Sequence, residues 1–230
     1  MTIFPLARRR MIWFPTLLGW ACIVALVVAT AFLWVLQGER FLSPTDRLRA
    51  DVLVVEGWIG IQGVQAAAAE FTRGGYSYFV TTSGMTDTSW DETRYSYAEM
   101  AAKIAFQSGI ANDRIIIAGS GNTEAKRTFE SAVAVYRALK IRGIHPSAIN
   151  VFTLGTHARR SQLVFAKVFR HTSSVGIVSW IPLTYNSSPW WRSSDRSGDM
   201  IKETAGYLFE LFANSGRDFD ATGSGTTRKQ

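Results

Sequence analysis

A chain of 230 residues with 47% hydrophobic and 13% aromatic content folds around a core, which excludes intrinsic disorder and bounds it to one ordinary domain plus an appendage. The formal charge of +7 invites a nucleic-acid partner, but Arg8, Arg9 and Arg10 precede an apolar run and leave +4 for the rest, scattered among acids without a basic stripe. No nucleic acid is therefore expected, and the one cysteine, Cys22, lies inside the apolar run, which excludes a disulfide within the chain.

Residues 1–10 read as a basic N-terminus. Residues 11–36 follow, 26 residues from Met11 to Leu36 without a charge, which as a helix extend about 39 Å and cross the hydrocarbon of a bilayer with some tilt. Trp13, Trp20 and Trp34 lie at or toward the ends of the run, and Pro15 falls in the first turn, where a helix tolerates it. Arginines ahead of the run keep residues 1–10 cytoplasmic, so the expectation is a single-pass anchor in the plasma (inner) membrane with a periplasmic domain. The competing reading is a cleaved signal peptide, since Ala29-Thr30-Ala31 has the form of a cleavage site. The run is longer than an ordinary signal-peptide core, however, and cutting there leaves Phe32-Leu33-Trp34 at a new terminus, so the anchor is preferred.

Residues 37–49, with Pro44, read as a polar linker, and residues 50–214 as one α/β domain. Short β-branched runs bounded by Gly or Ser read as buried parallel strands: Val52 to Val55, Tyr78 to Thr82, Arg114 to Ala118, Asn150 to Leu154 and Val175 to Trp180. Between them lie helices Gln62 to Arg73, Tyr95 to Ser108 and Thr123 to Arg142, stopped by Gly74-Gly75, Gly109 and Gly143. A fourth helix runs from about Thr156 to Arg170 and a fifth from about Asp199 to Asn214. Strand–helix–strand repetition predicts a Rossmann-like doubly wound parallel sheet of about five strands. Residues 215–230 carry too few apolar groups to pack and read as a flexible tail.

In such a sheet ligands bind outside the carboxyl ends of the strands. The candidates there are Glu56, Gly57 and Trp58; Ser83 and Gly84; Ser120, Gly121, Asn122 and Thr123; Thr156, His157, Arg159 and Arg160; and a loop ending in Trp190, Trp191 and Arg192. Together they offer one acid, one imidazole, guanidinium groups, hydroxyls and amide donors at helix starts, a set that suits phosphate or carboxylate. His157 and Arg160 are three residues apart and share a helix face. Duller readings stand beside these. Glu56 caps a helix or pairs with an arginine; Ser83-Gly84 and Ser120-Gly121-Asn122 are ordinary turns; Thr123 is an N-cap; Trp190-Trp191 is either a lid or an apolar seal. His157 outranks His145 and His171 as a proton donor because it alone follows a strand.

No Gly-x-Gly-x-x-Gly follows the first strand, and phosphate-loop and nucleophile-elbow patterns are missing. Three dispersed histidines give no metal-ligand spacing, so neither cofactor nor metal is expected.

Four strand-end segments in order, ADVLVVEGW from Ala50, TTSGM from Thr81, GSGNT from Gly119 and GTHARRS from Gly155, resemble the SanA/ElyC/YdcF family of bacterial envelope proteins. KRTFESA from Lys126, HARRS from His157 and WWRSS from Trp190 resemble its tryptophan-rich branch, which adds Arg127 to the same helix start. The family form has a second asparagine where this chain has Lys126, and its acid in the second helix corresponds to Glu99 only approximately. The resemblance implies a role in cell-wall (peptidoglycan and polysaccharide) biogenesis or envelope barrier function.

The function expected is binding or processing of an anionic phosphorylated or lipid-linked saccharide, as a hydrolase or transferase if catalytic. Glu56 and His157 are then the catalytic pair, and Gly57, Ser83, Gly84, Asn122, Thr123, Arg127 and Arg160 bind the ligand. Partners are membrane lipid, that anionic molecule, and envelope-synthesis proteins. The alternatives are a non-catalytic envelope factor or scaffold, and a nucleotide-type cofactor binder.

Overall fold

The computed structural model describes residues 14–85, 96–121 and 126–213. The expected cytoplasmic segment 1–10, the tail 215–230, and Trp13, Asn122 and Thr123 lie outside the described residues. Two compact units divide within one helix, Met1–Gly38 and Glu39–Gln230.

Helix α1 (Leu17–Leu42) begins at Thr16, whose Oγ1 accepts a hydrogen bond from the Gly19 N–H at 3.2 Å and caps a free donor of the first turn. The first unit is this helix's apolar part, with Leu17, Leu18, Val24, Leu26, Phe32 and Leu33 all exposed. It is long and apolar enough to cross a membrane.

In the second unit β1 (Val52–Glu56), β2 (Tyr78–Ser83), β3 (Ile115–Gly119), β4 (Ala148–Leu154) and β5 (Ser174–Trp180) form one sheet in the order β3-β2-β1-β4-β5, every pairing parallel. Parallel neighbours need crossovers, and α2 (Gly60–Gly74), α3 (Tyr97–Gln107), α4 (Arg127–Ile141) and α5 (Ala158–Phe169) supply them. This is the doubly wound α/β architecture expected. Alternation along β1 serves both faces: Leu53 and Val55 pack with Val64, Phe71 and Ala105 of α2 and α3, and Val52 and Val54 with Val135, Phe165 and Phe169 of α4 and α5. The glycine stops hold where the chain needs a left-handed residue, with φ of 69° at Gly75 and 67° at Gly143.

Two expectations are corrected. The last helix, α6 (Ser194–Ala213), begins five residues before Asp199, because a short turn from Trp190 to Arg192 lets Ser193 accept from the Arg196 N–H through its Oγ at 3.4 Å. Residues 37–49 are no free linker. Helix α1 runs on to Leu42, which is fully buried. Beyond it Asp46 exchanges two backbone hydrogen bonds with Ile177, at 2.8 and 2.9 Å, so the chain lies antiparallel along the outer edge of β5. The buried Asn150 amide clamps the Leu48 backbone on both sides, accepting at 3.0 Å and donating at 2.8 Å, and Arg47 pairs with Glu70 at 2.5 Å.

Candidate functional site

Strand order reverses between β1 and β4, and a crevice opens outside their carboxyl ends. Glu56 ends β1 with its side chain buried. Its Oε2 accepts from Thr153 Oγ1 on β4 and from Ser161 Oγ on α5, the latter at 3.1 Å. β4 passes into α5 through one tight turn, Gly155–His157, which Gly155 opens at φ 42°. That turn delivers His157 beside Glu56, with Nε2 3.4 Å from Oε2. On the ring's other edge Nδ1 lies 3.0 Å from Glu203 Oε1 of α6, and Trp58 packs edge-on at 5.0 Å. Arg160, one turn along α5, grips Glu203 with both Nε (2.7 Å) and Nη2 (3.0 Å) and reaches Thr128 Oγ1 of α4 at 3.2 Å.

Four charges thus interlock across four elements. Burial alone pushes the His157 imidazole down, but the carboxylates of Glu56 and Glu203 outweigh it and raise its pKa to about 9. Both ring nitrogens then carry protons, and Nδ1 donates to Glu203. Arg160 Nη2 also lies 3.0 Å from Nδ1, and with both groups cationic it is their shared carboxylate that holds them together. Burial raises Glu203 as well, yet His157 and Arg160 keep it well below the usual carboxylate range. Glu56 is likewise held low against burial by His157, Thr153 and Ser161. The carboxylates sit on opposite ring edges and so do not converge on one ion, and among the described residues no cluster suited to a metal occurs.

A cavity of about 40 Å³ adjoins this network, lined among others by Glu39, Ser43, Trp58, His157, Tyr185, Arg196, Asp199 and Glu203. Arg196 is nearly buried, ion-paired to Glu39 at 2.5 Å and donating to the carbonyls of Tyr185 and Ser188 at 2.9 and 2.6 Å. Among the described residues its Nε, itself buried, has no hydrogen-bond partner, and His157 Nε2 has only the Glu56 carboxylate, long at 3.4 Å. Arg196 and His157 both line the cavity, and a buried N–H such as Arg196 Nε is costly unless something accepts from it. Asp199 is pushed up chiefly by burial.

The structure brings Glu56, His157 and Arg160 together, as the strand-end rule requires. Arg160 is occupied by Glu203 rather than open to a ligand. Gly57 has a packing reason: a Cβ there would collide with the Tyr97 carbonyl where α3 crosses the turn Gly57–Ile59. Ser83 and Gly84 lie at the end of β2 against Ser120 and Gly121, with the Ser120 N–H donating to the Ser83 carbonyl at 3.2 Å. Ser83 holds φ 145°, a conformation that side chains avoid and that gathers at functional sites. Neither Ser83 nor Gly84 lines the cavity, and Arg127 is exposed at the start of α4. Asn122 and Thr123 fall outside the described residues.

Glu203 and Arg196 were not among the expected residues. They come from a helix that is separated from the last strand by a loop, and the Arg160–Glu203 ion pair joins positions 43 apart in the chain. The available signal was the acid and base at 196, 199, 202 and 203 on a helix next to the crevice strands. Comparison of the chain with protein-family models, with curated proteins and with solved structures finds no match, and the crevice stands on its own geometry.

Proposed function

We propose that the chain is a membrane-anchored envelope protein of the SanA/ElyC/YdcF kind. Its crevice binds, and through His157 and Glu56 processes, an anionic phosphorylated or lipid-linked saccharide during cell-wall or polysaccharide assembly. The observation that carries this reading is that the His157 imidazolium and the Arg196 guanidinium belong to the wall of one cavity. Both are cationic groups, and an anionic oxygen is the partner that such a wall favours. Glu39 and Ser43, close behind the apolar run that ends at Leu36, line the same cavity, which suits a substrate presented from lipid. Arg8 to Arg10 ahead of the run favour a cytoplasmic N-terminus and a periplasmic crevice in a cell's inner membrane.

With its pKa near 9 His157 is an imidazolium at neutral pH, so its role is to donate a proton to a departing oxygen, with Glu56 ionised beside it to orient the ring and stabilise its charge. The enzyme class that follows is a hydrolase or transferase acting on a phosphate or glycosidic link. A second reading, a non-catalytic envelope factor, is favoured by the pairing of each of the four charges with another.

The test is a thermal-shift series on the detergent-solubilised chain with phosphosugars, lipid-linked wall precursors and nucleotides. A ligand at a hundred times its dissociation constant adds about 2.7 kcal/mol. Arg196→Gln should remove that shift. His157→Gln should weaken binding and abolish turnover at saturating ligand if the site is catalytic, and turnover should be absent from the wild type if it is not. Failure of all these anions to shift the wild type would overturn the reading.

A further inference from the structure

Helix α6 is inside out. Beside Met200, its buried face carries Arg196, Glu203 and Glu210, while Phe212 (82% exposed), Ile201 (71%), Phe209 (53%), Leu208 (47%) and Leu211 (47%) point outward. From Thr204 to Ala213 the one charged side chain is Glu210, and it is turned inward onto Lys167 at 2.8 Å. The outer surface of those turns is free of charge over about 15 Å. A helix facing water reverses this arrangement.

The position of this face names its occupant. Tyr207, next to Leu208, packs edge-on against Phe41 with ring centroids 5.7 Å apart, and the Arg159 guanidinium lies over the same Phe41 ring at 4.0 Å. Phe41 follows Leu36, the last residue of the uncharged run, by five positions of continuous helix. Five residues rise about 7.5 Å as helix and reach about 18 Å at full extension, against a headgroup layer of about 5–8 Å. Whatever touches Phe41 is thus held close to the membrane surface by chain length alone. An apolar, aromatic helix face with cations beside it is what that layer accepts.

We propose that Leu208, Phe209, Leu211 and Phe212 of α6 form a membrane-docking surface lying in the headgroup layer of the bilayer that α1 enters. This rests on α1 being an anchor. Because α6 also carries Arg196, Asp199 and Glu203, docking fixes one wall of the crevice at the lipid surface.

The test uses the full chain in vesicles of phosphatidylethanolamine and phosphatidylglycerol, with a nitroxide at single cysteines and collision rates read with oxygen and with a water-soluble nickel chelate. The native Cys22, exposed on α1, reports the anchor. On a Cys22→Ala background, Phe209→Cys and Phe212→Cys report the docking face, and Ile141→Cys, 86% exposed on α4, reports water. The expected result is an oxygen-to-nickel ratio at 209 and 212 several-fold above that at 141. Ratios equal to that at 141 while Cys22 reads lipid would overturn docking and leave the anchor standing. If Cys22 also reads water, anchor and docking fall together. Dipolar broadening between labels at 209 would make the face a contact between two copies and equally overturn the proposal.

Discussion

Replacing His157 should flatten the pH dependence of stability on the alkaline side. The imidazole has an unfolded pKa of about 6.5 and a folded one of about 9. A folded pKa above the unfolded one means that the stabilisation is fully present below about pH 6.5 and is lost as pH rises through about 9. The difference corresponds to about 3 kcal/mol, lost at up to about 1.4 kcal/mol per pH unit between those limits. With its side chain only 8% exposed, His157 is poorly screened by solvent. Glu56 and Glu203, held low, work in the other direction: their contribution is present above about pH 4.5 and lost as pH falls. Stability should therefore peak near pH 5–6.5. The assay is urea unfolding of the detergent-solubilised chain by tryptophan fluorescence at pH 6, 7, 8 and 9, for wild type and His157→Gln. The variant starts less stable, since removing the cation leaves the buried Glu56 carboxylate without a charged partner while Glu203 keeps Arg160, at a cost of about 3–5 kcal/mol. Slope rather than absolute stability is the readout. If His157→Gln does not fold, Glu203→Gln serves instead, and its alkaline loss should move to lower pH. A flat wild-type profile, or an equal slope in the variant, refutes the buried imidazolium.

Gly57→Ala should destabilise by about 1–3 kcal/mol by driving α3 off the turn at Gly57–Ile59, seen as a lower urea midpoint with unchanged slope. Asn150→Ala strands the Leu48 backbone and removes the donor at 2.9 Å from the Tyr76 hydroxyl, which keeps Glu70, and should cost about 2 kcal/mol and make residues 44–49 more sensitive to protease. Ser83→Gly relieves a left-handed serine and should stabilise by about 1 kcal/mol in thermal melts; a loss of stability would show that the hydroxyl outweighs the strain.

The five strands and their parallel pairing were legible because short apolar runs between glycine-stopped helices admit few other arrangements, and the observed strand ends differ from the expected ones by a residue or two. Strand-end logic also brought Glu56 and His157 to one crevice. What it could not show is partnership across the chain. Arg160 reads as a free cation until α6 places Glu203 on it, and Arg196 reads as a loop residue until Ser193 starts the helix ahead of it. Gly57 looked like a ligand contact because glycine near a crevice serves either a ligand or a neighbouring backbone, and here the backbone is that of Tyr97. Residues 37–49 looked polar and loose, yet their polarity is spent on Arg47–Glu70, Leu48–Asn150 and Asp46–Ile177.

The strip at Asp46 has a bearing on how copies of the chain can stick together. An uncovered strand offers unpaired amides to any neighbour. Here the β5 side is closed by the molecule's own backbone at Ile177, while among the described residues nothing pairs beyond β3, where Ile117 is half exposed. The amide and carbonyl of Ile177 are thereby withdrawn from pairing with the strand of a second copy, which would first have to displace Asp46. Edge-to-edge growth through β5 is blocked at that position by a segment of the chain itself.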